Sequence, residues 1–305
     1  MAATQPFRIK SISQFHQLRG LPKPEHPLIS VVNFDDVKRT EDDPQSIVLD
    51  YYSIALKRNF NAKMKYGYGQ LEYDFDEGIM FFIAPGQVFS VHNAENYKVS
   101  GWMLLIHPDF LWNTSLAKKI KRYEYFSYSV HEALHLSDKE ETMLTGIMQN
   151  IAQEYHSNID NFSQDVIVAQ IELLLAYSDR FYNRQFITRK IANHKILNRL
   201  EDILNGYFNG HDLEKQGLPT VQYIADALNI SPNYLSVMLK LQTGQSTQQH
   251  IHDKLIEKAK EKLSTSDLSV SEIAFALGFE HSQSFSKLFK SKTNLSPLEF
   301  RNTFN

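Results

Sequence analysis

The chain has 305 residues, with 32 Lys+Arg against 35 Asp+Glu for a formal charge of −3, and is 42% hydrophobic and 12% aromatic. That apolar content sustains packed cores and excludes a mostly disordered chain. The absence of cysteine excludes a disulfide scaffold, a thiol nucleophile and a cysteine-held metal or iron–sulfur site. The length suggests two domains. The opening MAATQPFRIKS has no apolar core, and no apolar run nears the roughly 18 residues of a membrane span, so a cytoplasmic protein with no membrane partner is expected. From Gly206 to Asn305 there are ten basic and ten acidic residues, and the net acidity lies before them. A nucleic-acid site would therefore have to be a local patch.

Residues 1–27 are polar and interrupted by Pro22, Pro24 and Pro27, which reads as an arm, extended where the prolines cluster. From about Ser30 to Leu111 the runs SVVNFDDV, SIVLDYYSIAL, MKYGYGQLEYDF, IMFFIAPGQVFSV and GWMLLI are rich in strand-forming residues and separated by turn signals. Short strands at that spacing predict a small barrel or jelly roll. Tyr52, Tyr66, Tyr68 and Trp102 are the candidate lining of a ligand pocket there.

The pattern changes near Ser137. Ser137-Asp-Lys-Glu140 is a capping box, and Leu144, Ile147, Met148, Ile151 and Tyr155 follow at helical spacing. A second helix is predicted from about Ser163 to Tyr182, with Val166, Ile167, Gln170, Leu174, Tyr177 and Phe181 on one stripe. A third covers Ile196 to Phe208. These apolar stripes predict a homodimer seam or packing on the barrel. Asn209-Gly210-His211-Asp212 to Pro219 reads as a linker. The organisation expected is an arm and sensor barrel at 1–135, a helical and dimerising segment at 136–208, and an all-α domain at 209–305.

A repeat follows the linker. Val221, Ile224, Ala225 and Leu228 recur as Val270, Ile273, Ala274 and Leu277. Leu235, Met238 and Leu239 recur one residue later in register as Phe285, Leu288 and Phe289. Each unit spells two short amphipathic helices joined by a tight turn, over 221–240 and 270–290. Asn229 and Gly278 suit the left-handed conformation of a helix end. Ser231-Pro232 supplies an N-cap and a first-turn proline, and Ser269-Val-Ser-Glu272 a capping box.

YIADALNISPNYLSVMLKLQTGQS and SEIAFALGFEHSQSFSKLFKSKTNLSPLEFR resemble the paired helix-turn-helix domain of AraC/XylS-type transcription regulators, and Ile251, Leu255, Ala259 and Leu263 match its linker helix. Residues 70–205 more loosely resemble the sensor half of bacterial members. The resemblance implies an α+β chain: a cupin-like barrel with a helical segment, then an all-α domain of two helix-turn-helix units. It implies a homodimeric regulator, activator or repressor, that binds double-stranded DNA through the major groove and contacts RNA polymerase, with an unknown small-molecule effector. The second helix of each unit would enter the groove. Outward positions then become candidate DNA contacts: Asn233, Ser236, Val237 and Lys240 in the first unit, and Gln283, Ser284, Ser286, Lys287 and Lys290 in the second. Arg301 matches a family position that touches the DNA backbone. Asn and Gln can pair with adenine, and Lys can donate to guanine or phosphate. Val237 stands where relatives often carry a long polar side chain, and can touch only a thymine methyl.

A rival chemistry is present in outline. His131-Glu132-Ala133-Leu134-His135 fits H-E-x-x-H, the zinc-peptidase helix signature. His135, however, sits two residues before the Ser137 cap, ahead of the helix, and Glu154 is the only downstream ligand candidate. A cupin-like metalloenzyme with a helical extension is the alternative from another class. It is disfavoured because Phe89 occupies a usual ligand position and no H-x-H occurs among the strands. A ligand-independent DNA-binding regulator is the other alternative. No catalytic residue, metal or cofactor is expected, and the chain is not read as an enzyme.

Overall fold

The computed structural model describes residues 6–38, 44, 46–58, 78–90, 100–128, 132–157, 160, 162–188, 190–210, 213 and 217–303. The chain divides into two compact units, Met1–Thr188 and Arg189–Asn305. No described helix is long and apolar enough to cross a membrane.

The first unit is α+β. Its strands are β1 (Phe7–Ile9), β2 (Ile29–Asn33), β3 (Ser46–Leu49), β4 (Tyr52–Arg58), β5 (Gly78–Ile83), β6 (Val88–Ser90), β7 (Ser100–Ile106) and β8 (Leu134–Leu136). Among the described residues they form two sheets, β1-β3-β6 and β2-β7-β4-β5-β8. Only β1 with β3 is parallel. Of the expected barrel or jelly roll, no closed barrel forms among the described residues, whose strands lie in two separate sheets. Strand-like composition predicts that segments pair, but closure depends on non-local order, which alternation does not encode.

β4 and β5 are buried along almost their whole length, as strands with both faces covered must be. Ala55, Ile79, Phe81, Met103 and Leu105 meet β1, β3 and the short helix α1 (Ile12–Leu18) in one apolar cluster. Side chains alternate across a strand, so Ile54, Leu56, Met80, Phe82 and Leu104 lie on the opposite face of the five-stranded sheet. There Phe82 packs against the rings of Tyr125, Phe126 and Tyr182. After α2 (Leu116–Lys119) come α3 (Asp138–Tyr155) and α4 (Ser163–Thr188). Ser137 and Glu140 form the predicted capping box, and the predicted stripe of α3 is buried throughout. On α4 the buried face runs instead through Ile167, Ile171, Leu174, Leu175, Ser178, Phe181 and Tyr182. Val166, assigned to that stripe from sequence, is 39% exposed.

The H-E-x-x-H segment has a structural task at this junction. His131 lies outside the described residues, and 134–136 is an edge strand on β5 rather than a helix turn. Gln185 of α4 accepts from the His135 N–H at 2.8 Å and donates to the Ala133 carbonyl at 3.1 Å. Arg184 donates to the His135 carbonyl at 2.7 Å and to both Glu140 oxygens. An otherwise open strand edge is thus satisfied by side chains.

The second unit is all helix: α5 (Lys190–Asn209), α6 (Val221–Leu228), α7 (Pro232–Thr243), α8 (Thr247–Thr265), α9 (Val270–Ala276), α10 (Ser282–Thr293) and α11 (Pro297–Arg301). The sequence places residues 190–208 in the helical segment 136–208. The contact boundary instead falls at Thr188, and α5 joins the second unit by burying Leu200, Leu204, Tyr207 and Phe208.

Candidate nucleic-acid interface

Each half of the repeat folds as its local chemistry dictates. Thr220 caps α6 by accepting from the Tyr223 N–H at 3.1 Å. Asn229 then ends it in the left-handed conformation at φ 59, where its side chain is tolerated. The Ile230 N–H returns to the Ala225 carbonyl at 3.0 Å, so the chain reverses within three residues. Ser231 accepts from the Tyr234 N–H at 3.2 Å, with Pro232 in the first turn of α7. In the second half the Ser269–Glu272 capping box opens α9, Gly278 adopts φ +81, and the Phe279 N–H bonds the Ala274 carbonyl at 3.0 Å. The turn before α10 is longer than its counterpart, which accounts for the shift in register between the repeats.

Burial sorts the second helices into inner and outer faces. Tyr234, Leu235, Met238 and Leu239 of α7 are buried, as are Phe285 and Phe289 of α10. Asn233, Lys240, Gln283, Ser284, Lys287 and Lys290 are exposed, while Ser236, Val237 and Ser286 are partly buried. The fold therefore gathers all nine candidates on the outward sides of α7 and α10. The Ser236 hydroxyl lies 3.3 Å from that of Thr247, and hydrogen bonds with Ser296, helped by the field of Lys290, keep the Glu299 carboxyl below its usual range.

Several other basic residues are engaged. Lys292, the third lysine of the cluster, pairs with Asp253 at 2.8 Å. On α8, Lys254 and Lys258 pair with Glu257 and Glu261. Arg301 is braced within the unit. Its guanidinium donates to the carbonyls of Leu268 at 2.6 Å and Leu263 at 3.3 Å, filling acceptors where α8 ends and the chain turns into α9.

Helix α8 carries the predicted buried stripe Ile251, Leu255, Ala259 and Leu263, with Ile256 added. Of the 209–219 stretch, expected to be a linker, the described residues Leu213 and Gly217 pack within this unit. Leu213 is buried, the Tyr207 hydroxyl donates to the Gly217 carbonyl at 2.9 Å, and Gly278 sits against the backbone. A Cβ on Gly278 would stand 3.0 Å from Gly217 Cα and from the Leu213 carbonyl oxygen. Sequence reading also missed α11, although Ser296-Pro-Leu-Glu299 is a readable capping box and forms one.

Of the candidate effector residues of the first unit, Tyr52 and Trp102 are among the described residues. Tyr52 is buried on β4 with its ring edge against Phe126 at 5.1 Å, and burial raises its pKa. Trp102 of β7 is partly buried and lies opposite Leu56, four residues along from Tyr52, or about 13 Å. Tyr66 and Tyr68 lie outside the described residues.

Two helix-turn-helix units with outward second helices, joined by a buried-stripe helix, define a DNA-binding domain of the two-headed type. Residues 224–303 match the family described as "Helix-turn-helix domain". The chain is 33% identical over 115 residues to an uncharacterized HTH-type transcriptional regulator in the cgkA 5' region of Pseudoalteromonas carrageenovora, covering 38% of this chain and 63% of that protein. It is 37% identical over 78 residues to the HTH-type transcriptional activator RhaS of Escherichia coli, covering 26% and 28%. Among solved structures, the C-terminal domain of AraT, a response regulator from Geobacillus stearothermophilus, is 32% identical with a TM-score of 0.31, covering 35% of this chain and 84% of that one. The chain thus spans less than two thirds of these curated relatives. Its C-terminal unit contains an AraC-type helix-turn-helix domain, and its homologues are transcription regulators.

Proposed function

We propose that this chain is a sequence-specific DNA-binding transcription regulator that acts as a homodimer and is modulated by an effector at its N-terminal unit. The observation that carries the reading is the pair of outward helices α7 and α10 held by one connecting helix. That helix, α8, has 19 residues, or about 28 Å, of the order of the ~34 Å repeat that separates successive major-groove faces. Exposed Asn233 and Gln283 supply amides suited to adenine, and exposed Lys240, Lys287 and Lys290 supply phosphate or guanine donors. With a balanced overall charge, these few cations supply the electrostatic footprint.

The dimer is supported by α4. Val166 and Leu173 are 39% and 48% exposed, and exposed Ala169 and Ala176 fall between and beyond them at the three-then-four spacing of a two-helix seam. An effector would act by favouring one arrangement of the dimer over another and so changing DNA affinity. Contact with RNA polymerase rests on the family resemblance alone. The test of the reading is selection from a random duplex pool with the full chain. Two short enriched motifs about 10 base pairs apart are expected, and a pool with no enriched sequence would refute it.

A further inference from the structure

The first unit holds, among its described residues, a cavity of about 500 Å³ apart from the expected aromatic pocket. It opens where the His26–Ile29 segment, the turn Pro108–Asn113, the end of α3 and the first turn of α4 meet. Its size suits a small ligand. The lining carries three carboxylates, Asp109, Glu154 and Asp160, and neither lysine nor arginine. Trp112 at its edge is 69% exposed, a large aromatic face left to solvent.

The charges are poorly compensated from within. Glu154 stands in the last turn of α3, where the carbonyl end of a helix already concentrates negative potential and disfavours a carboxylate. His107 Nδ1 lies 3.5 Å from the Asp109 carboxylate, but it accepts the Asp109 N–H at 3.2 Å and so offers that carboxylate no proton. His26 brings no positive charge: its Nδ1 accepts from the Leu28 N–H, and burial holds its pKa below the ordinary value. Asp160 caps α4 through the N–H groups of Phe162 and Ser163 at 2.7 and 2.9 Å. It adds charge, while Asp109 and Glu154 keep acceptors for a ligand.

We propose that this cavity binds a small organic cation, an ammonium group on an apolar body, with its charge against Asp109 and Glu154 and its body over Trp112. Binding itself does not depend on the DNA reading; the further claim that this is the effector site rests on it. The test is calorimetric titration of the full chain, without DNA, with choline and with spermidine, set against 3,3-dimethylbutan-1-ol, the uncharged counterpart of choline. Saturable binding of at least one cation at one site per chain is expected. The neutral counterpart should bind about tenfold more weakly than choline or not at all, Glu154→Gln and Asp109→Asn should each cost about threefold, and Trp112→Ala about fivefold. No saturable heat with either cation up to about 10 mM, equal affinity for the neutral counterpart, or unchanged affinity in both carboxylate variants would overturn the site; the comparison of choline with its counterpart uses the unaltered protein and needs no variant to fold. Anisotropy on a selected duplex separates the two claims. Cation binding that leaves duplex affinity unchanged would overturn the effector role, and a chain that binds no duplex at all would count against the regulator reading while the calorimetric result stands.

Discussion

Replacing Arg301 by alanine discriminates between two roles for that residue. Family resemblance implies a contact to the DNA backbone, whereas its guanidinium is committed to the carbonyls of Leu268 and Leu263 at 2.6 and 3.3 Å. Hydrogen bonds from a charged donor contribute about 1.5–3 kcal/mol each when well made and shielded. One of these is short and the other long, and Arg301 is only partly buried, so the pair together stabilises by about 1–2 kcal/mol. For a unit of this size that is a loss of roughly 4–8 °C in the melting midpoint of the second unit. The assay pairs thermal unfolding with the salt dependence of binding to a selected duplex. Arg301→Ala should lower the midpoint and leave the slope of log affinity against log salt unchanged. An unchanged midpoint with a slope reduced by about one unit, the signature of one lost phosphate contact, would refute the bracing role.

Three further outcomes follow from the same geometry. Gln283→Ala should cost about 1–3 kcal/mol at a single base position and relax preference there, Lys290→Ala should weaken all duplexes alike and lower the salt slope by about one unit, and Val237→Ala should do little; anisotropy on single-base variants checks all three, and a uniform loss for Gln283→Ala would show that α10 is wrongly oriented. Leu173→Asp, on the exposed side of α4, should shift a sedimenting dimer to monomer with the fold intact, and a variant that still sediments as the parent would remove the α4 seam. Glu272 and Glu299 are both held below the usual carboxyl value of 4.5 by hydrogen bonds with Ser269 and Ser296. Their caps therefore contribute fully above about pH 4.5 and lose that contribution as the pH falls through the depressed folded-state values; proton-linked unfolding of Glu272→Gln against the parent reads this, and identical pH profiles would contradict it.

How much the sequence disclosed depended on whether the cause was local. The repeated helices were legible because Ile224, Leu228, Ile273 and Leu277 mark a buried period, and because Asn229, Ser231 and Gly278 carry their turn conformations in their own chemistry. The outward faces of α7 and α10 followed by subtraction. Sheet order was not legible: the parallel pairing of β1 with β3 joins residues 40 apart in sequence, and nothing in either strand states it. The stretch 209–219 looked like a linker because Asn209-Gly210-His211-Asp212 signals a turn, but a turn signal is silent about what the following backbone packs on. The Gly217–Gly278 approach, the Tyr207–Gly217 hydrogen bond and buried Leu213 reveal that. Arg301 shows the same limit at a single residue, since its partners are carbonyls 38 and 33 positions away.

The central claim is that both heads read one duplex, and hydroxyl-radical footprinting of the full chain on a selected site tests it most directly. For each bound protomer, two protected segments about 10 base pairs apart on one face of the duplex are expected from outward helices joined across about 28 Å, so a dimer protects two such pairs. Gln283→Ala should weaken one segment of each pair while leaving the other in place. A single protected segment within one helical turn, unaffected in position by changes to either α7 or α10, would contradict the account.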